Sequence, residues 1–139
     1  MKRLKKWANH VLIDGLSGMA QGLSATLIIG TIIQQIGTFA GGDLGNLIFL
    51  TGKVAAAMTG AGIGVGVACR FQAPPLVVIS AAIAGMSGAF ASQILNGTVL
   101  MEGAIVLSGP GEPLGAFLAA YVGIEIGKLV SGKTKVDIL

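Results

Sequence analysis

Long apolar stretches, separated by short segments rich in helix breakers, make up most of the chain. Four of them, at about 11–36, 47–69, 75–96 and 113–131, come close to or exceed the length of about 20 apolar residues that a helix needs to cross a bilayer core. Glycine, proline and asparagine punctuate the segments between them. The pattern predicts an all-α fold: one domain, 1–139, built as a polytopic transmembrane helical bundle of about four spans.

The connection before the last predicted span is itself apolar. Residues 98–108 carry one charged side chain, Glu102, yet the stretch is too short to span a bilayer. Two interpretations stay open. The segment is re-entrant or extended, with its backbone satisfied by protein or by a water-filled cavity, or it is a plain loop.

Composition supports lipid as the medium. Hydrophobic residues make up 53% of the chain, and charged residues make up 11% against roughly 25% in soluble domains. The mean hydropathy is +0.85. So few charged side chains cannot cover the surface of a soluble domain, and we therefore expect the lipid bilayer to be the chain's main partner.

Basic residues orient the bundle. With the N-terminus in the cytoplasm, four spans return the C-terminus to the same side, and eight of the nine basic residues then obey the positive-inside rule. These are Lys2, Arg3, Lys5, Lys6, Arg70, Lys128, Lys133 and Lys135. No aromatic platform follows the N-terminal basic run, so we interpret it as a membrane anchor and expect no nucleic acid. We predict a multi-pass protein of the inner (plasma) membrane with both termini in the cytoplasm.

Several classes of site are disfavoured. One cysteine, Cys69, allows no internal disulfide, and one histidine, His10, supports no metal centre. Residues 127–134 match the P-loop pattern letter for letter, but the match follows a membrane helix rather than a strand. No nucleophile elbow or pair of metal ligands is present. We predict no enzyme, no cofactor and no metal.

Glycine spacing predicts close contacts between helices. Small residues four positions apart let helix backbones approach in lipid. This spacing occurs at Gly18/Gly22, Gly60/Gly64, Gly62/Gly66, Gly111/Gly115 and Gly123/Gly127. Because the four glycines at 60–66 alternate, they give one helix two small faces. They serve helix packing, or they loosen a broken helix that lines a transport path.

Three ionisable side chains lie within predicted spans: Asp14, Lys53 and Glu125. Charge in a span is costly, so it is usually paired or functional. Depth predicts two clusters. The inner one joins Asp14 and Glu125 to Arg70 and Lys128, and the outer one joins Lys53 to Glu102 and Glu112. Two roles stay open: structural pairing or snorkelling, and the handling of a substrate or proton.

Two breaker-rich segments are candidates for a solute path. Gln72 begins the segment 72–75, and Ser108 and Glu112 lie in the segment 108–113. Prolines and glycines there expose backbone polar groups, and a carboxylate beside them suits a hydroxyl-rich solute. Plain turns are the alternative. The candidate path comprises Gln72, Ser108, Glu112 and Lys53.

A family resemblance joins these pieces. Residues 13–30, 73–76, 111–117 and above all 125–138 resemble the phosphotransferase-system enzyme IIC-like membrane proteins, the group that includes the perfringolysin-regulator-like proteins. The resemblance covers nearly the whole chain. Family members are usually more than twice as long and look like two related membrane halves, of which this chain matches the first. We expect either a piece of a longer protein or a half-size protein that completes itself as a homodimer or higher oligomer.

The resemblance implies a sugar-permease-like role. The leading hypothesis is a permease subunit that moves a small polar solute such as a sugar. The alternatives are a membrane scaffold or regulatory protein that transports nothing, and a small oligomeric channel.

Overall fold

Helices form nearly all of the computed structural model, which describes residues 2–107 and 109–130. The helices are α1 (Lys2–Ala40), α2 (Gly42–Ala57), α3 (Thr59–Arg70), α4 (Pro75–Ala89), α5 (Ala91–Leu95) and α6 (Pro113–Val130). Two short strands, β1 (Leu100–Met101) and β2 (Ala104–Ile105), form a hairpin. The predicted all-α class is confirmed. Ser108, Lys133, Lys135 and the end of the P-loop-like match lie outside the described residues.

Two helices, α1 and α6, are long and apolar enough to cross a membrane, and α2 with α3 makes a third if the bent pair is one span. The predicted span at 75–96 corresponds to the shorter apolar helix α4, followed by α5. Large apolar side chains cover the outside of the bundle, with Phe39 88% and Leu95 86% exposed. Such a surface suits lipid rather than water. The exact limits of the membrane-embedded parts stay predictions.

Helix α1 runs antiparallel to α2 and α3 along a series of glycine contacts. A Cβ atom added to Gly18 would lie 2.5 Å from the carbonyl oxygen of Gly66, and one added to Gly22 would strike the carbonyl of Gly62. The same relation links Gly30 to Gly52 and Gly37 to Gly45. Only glycine, whose side chain is a single hydrogen atom, permits the two backbones to approach so closely at these positions. The glycines therefore set the distance between the helices.

Helix α3 lies at the centre of the bundle. Its Gly62 and Gly66 contact α1, and its Gly60 and Gly64 contact α4, so the alternating glycines face two neighbours. Helix α4 in turn meets α6, with Gly88 against Gly115, Gly123 near Ala84 and Gly127 near Val77. The buried apolar core lies among α3, α4, α6 and the residues that directly follow α3 and α4. Its largest members are Ile63, Val67, Phe71, Val77, Phe90, Phe117 and Ile124.

The predicted second span is not one straight helix. It bends by 48° at Met58, between α2 and α3. On the facing helix, Ser24–Ile28 adopts a π-helical turn at the same level. On each of the two facing helices, a threonine hydroxyl donates a hydrogen bond to a backbone carbonyl three or four residues earlier in the chain. Thr59 Oγ1 donates to the Ala56 carbonyl at 2.6 Å, and Thr26 Oγ1 donates to the Gly22 carbonyl at 2.8 Å. Hydrogen bonds from a threonine side chain to an earlier carbonyl of the same helix often bend that helix. We call Ser24–Ile28 and Met58 together the joint.

Beyond the joint, Ile29–Ala40 and α2 form a helical hairpin, here called the arm. Its fully buried residues are small: Gly30, Gly37, Gly45, Gly52 and Ala56. Its large side chains therefore point outward. A two-glycine turn, Gly41 at φ +66° and Gly42 at φ +68°, reverses the chain at its tip, a backbone that other residues adopt only with strain.

The apolar connection before α6 is extended at its centre. Leu100 pairs with Ile105 and Met101 with Ala104, and the hairpin turns at Glu102 and Gly103, which both have positive φ. This agrees with the extended alternative for residues 98–108. The connection ends where the Glu112 N–H donates to the Ala89 carbonyl at 2.8 Å, which joins it to the end of α4.

Replacing Gly22 by valine tests the glycine contacts. The added side chain would force α1 from α3, and we expect the free energy of unfolding to fall by about 1–3 kcal/mol, the usual cost of overpacking. Unfolding in mixed micelles measures the change. Ala20→Val, on the exposed side of the same helix, is the control and should change little. Equal stability of the two variants would contradict the packing described.

Candidate functional site

A cleft of about 700 Å³ lies between the arm and the connection that precedes α6. Helix α1 contributes Leu27 and Gln34, α2 contributes Leu50, Lys53 and Val54, and the connection contributes Val106, Leu107, Gly109 and Pro110. Its volume falls within the range of about 300–1,000 Å³ typical of small-molecule sites. A mostly apolar lining with few polar groups is also typical of such sites.

The cleft begins at the joint. Ala56 and Ala57, the last residues of α2, line it, and Met58 follows directly. Helix breaks and π-helical turns often mark functional sites, and many transporters bind their solute where membrane helices are interrupted. The position of the cleft, next to two irregular helices, is its most informative feature.

Two polar side chains face the cleft among the described lining residues. Gln34 is half-buried in α1, where its side chain lies against Gly52, and Lys53 follows that glycine in α2. An amide and an ammonium group therefore both border the cleft, one from each helix of the arm. Lys53 Nζ also lies 5.9 Å from the centre of the Phe49 ring.

The structure brings only part of the predicted solute path together. Lys53 lines the cleft, and Ser108 falls between two lining residues but lies outside the described residues. Glu112 is exposed beside the end of α4 and does not line the cleft. Gln72 is exposed at the far end of α3, about 18 Å away along the helix axis. A path role for Gln72 and Glu112 stays a prediction.

The predicted outer charge cluster forms no ion pair. In the part of the chain that the structure describes, no carboxylate lies within 4.0 Å of Lys53 Nζ. At the predicted inner end, Asp14 Oδ1 lies 3.5 Å from Arg70 Nη2, and Asp14 Oδ2 lies 3.7 Å from His10 Nδ1. The pairing of Asp14 with Arg70 agrees with their predicted common depth. Glu125 makes no ion pair with any described residue.

Phe71 organises the end of the bundle that is predicted to face the cytoplasm. Its ring stacks on His10 with the ring centres 4.0 Å apart and meets Tyr121 edge-on at 6.0 Å. Lys128 Nζ donates to the Phe71 carbonyl at 2.7 Å, and Trp7 Nε1 donates to Tyr121 Oη at 2.8 Å. These five residues, here called the Phe71 cluster, tie α1, α3 and α6 together.

Sequence reasoning missed the Phe71 cluster and the joint. An aromatic residue beside Arg70 at the end of a predicted span was the one signal for the cluster. For the joint, Thr59 before the glycines of 60–66 hinted at a break, but no residue in 24–28 marks a π-helical turn. Gln34 stands out in the sequence only as one of several amide side chains in or near spans.

Comparison with known families agrees with the membrane architecture. A family model described as "Phosphotransferase system, EIIC" matches residues 13–139. No curated protein and no solved structure matches the chain. The family match covers the joint, the cleft and most of the Phe71 cluster.

Removing the amine of Lys128 tests the Phe71 cluster. Lys128→Met leaves the half-buried Phe71 carbonyl without this partner, and we expect the free energy of unfolding to fall by about 1.5–3 kcal/mol, as for other hydrogen bonds to charged groups. Asp14→Asn should cost only about 0–1 kcal/mol, because both carboxylate and guanidinium are partly exposed. Unfolding in mixed micelles compares the two variants. Lys128→Arg, which keeps a donor, is the control; an unchanged Lys128→Met protein would contradict this assignment.

Proposed function

Because the chain belongs to the phosphotransferase system EIIC family and is thus a permease component of that system, we propose that it carries a small polar solute, such as a sugar, through the cleft beside Lys53. The observation that carries this proposal is the joint. A break in one helix faces a π-helical turn in its partner, and the cleft of about 700 Å³ starts there. Interrupted helices at a solute site are a recurring feature of transporters.

The joint suggests how access to the cleft changes. The arm contacts the bundle mainly near Ser24–Ile28 and Met58, while its own two helices are held together by glycine contacts. It can therefore move as a unit. We propose that rocking of the arm about the joint widens and narrows the cleft against the connection at 106–110.

We propose that the chain itself supplies binding and passage of the solute rather than chemistry, the role of a permease component in this family. We propose that any chemical change of the solute is catalysed elsewhere. We further propose a homodimer or larger assembly, since the arm and one connection enclose the cleft on only part of its perimeter.

Uptake by liposomes tests the transport function. Liposomes that contain the purified protein should take up at least one sugar from a mixed panel, at a rate that saturates with sugar concentration. A cross-link that holds the arm against the connection should stop this uptake. In a Cys69→Ser background, Val54→Cys and Val106→Cys place one thiol on each wall of the cleft. We expect a bifunctional, reducible thiol reagent to lower uptake to the level of empty liposomes, and reductant to restore it.

Each single-cysteine variant, treated with the same reagent, controls for simple blockage. Full uptake by the cross-linked double variant would contradict movement of the arm, and absence of uptake for every sugar would favour a scaffold. Flux that rises linearly with solute concentration would favour a channel. The mass of the detergent-purified particle decides whether the active species is a dimer.

We propose that the protein lies in the inner (plasma) membrane with both termini in the cytoplasm. Cys69 adjoins Arg70 at the proposed inner end of α3 and is exposed. We expect a membrane-impermeant maleimide to label it only after permeabilisation. Asp43→Cys, at the tip of the arm in a Cys69→Ser background, should be labelled in intact cells. The reverse pattern would contradict the orientation.

A further inference from the structure

We propose that the solute accepted by the cleft carries an anionic group, a carboxylate or a phosphate, that binds the Lys53 ammonium. This inference rests on the proposed transport function, because it names the class of solute for the same cleft. It begins from a difference between Lys53 and the other cations at or near membrane depth.

The other such cations have partners within the fold. Arg70 lies 3.5 Å from an Asp14 carboxylate oxygen, and Lys128 donates to the Phe71 carbonyl at 2.7 Å. Lys53 has neither a hydrogen bond nor an ion pair with any residue that the structure describes. Its one cation–π contact is with the Phe49 ring, whose centre lies 5.9 Å from Lys53 Nζ. Such a contact attracts the ammonium weakly and does not neutralise its charge.

The surroundings of Lys53 increase the effect of that charge. Among the described lining residues, Gln34 is the one other polar side chain, and the rest are apolar or glycine. Lys53 is exposed where it borders the cleft. The apolar walls on its cleft side reduce the screening by water there, so the ammonium attracts an anion more strongly than it would in bulk water. A positive charge beside apolar walls attracts anions and repels cations.

A neutral sugar fits the same cleft less well. Its many hydroxyl groups each need a hydrogen-bond partner when they leave water. The described part of the cleft provides two polar side chains for that purpose, one of which is charged. A sugar acid or sugar phosphate gains a charge-assisted hydrogen bond from Lys53, which is about twice as strong as a neutral one. Gln34 can then bind a hydroxyl group.

The anionic group has two sources: a dissolved solute and the headgroup of a lipid. The proposal is for the solute. Binding of gluconate, glucose 6-phosphate and glucose is measured by calorimetry at constant ionic strength, with the protein in nanodiscs of phosphatidylcholine alone or with phosphatidylglycerol. Wild type is compared with Lys53→Met, Lys53→Gln and Lys53→Arg. Thr51→Val, on an exposed part of α2 that does not line the cleft, is the matched control.

We expect wild type to bind at least one of the two anions more tightly than glucose. Both Lys53→Met and Lys53→Gln should weaken that anion about tenfold or more, the effect of losing one charge-assisted hydrogen bond. Lys53→Arg and Thr51→Val should bind it nearly as wild type does. Because neutral residues suit lipid, the two neutral variants should fold, and thermal unfolding of each preparation checks this.

Five results would overturn the inference. Glucose binding that equals anion binding, or anion binding that persists in both neutral variants, would remove Lys53 as the anion site. Stabilisation by phosphatidylglycerol that depends on Lys53, with no binding of either dissolved anion, would assign the site to a lipid headgroup. Saturable uptake of glucose that is unchanged in Lys53→Met would refute the anionic solute and leave the proposed transport function intact. Absence of all binding and uptake would refute both.

Discussion

Direct contact between helix backbones determines this structure. Lipid is as apolar as the side chains it surrounds, so helices in a membrane gain little from the hydrophobic effect when they associate and depend on close van der Waals packing. Glycine pairs such as Gly18 with Gly66 and Gly60 with Gly85 bring main chains together at three interfaces. The central helix α3 can contact α1 and α4 closely because its glycines occupy two faces.

The same contact explains why two helices are irregular at one level. The glycine series between α1 and α2–α3 continues on both sides of Met58, from Gly22 with Gly62 to Gly30 with Gly52. A bend in one partner alone would separate the helices beyond it. The π-helical turn Ser24–Ile28 lies in the facing helix at the same level, and the glycine contacts continue on both sides of it. The cleft borders this level and the connection to α6.

Polar groups are treated differently at the two ends of α3. At the end predicted to face the cytoplasm, the Phe71 cluster and the pair of Asp14 with Arg70 give several polar groups a partner and link three helices. Near the joint, Lys53 has no such partner among the described residues. The linked end and the unpaired charge near a bend are the two features on which the proposed transport function rests.

Much of the architecture follows from the sequence. Apolar length predicted the helices, composition predicted lipid, and spacing of four residues predicted which glycines form small faces. The shared depth of Asp14 and Arg70 predicted their proximity. These inferences use position along a helix, which the chain determines directly. The tertiary structure alone decided the bend at Met58, the position of Gln34 and Lys53 on one cleft, the exclusion of Gln72 from that cleft and the stacking of His10 on Phe71. Each depends on how one helix is rotated and inclined against another, and that orientation exists only once the backbones are in contact.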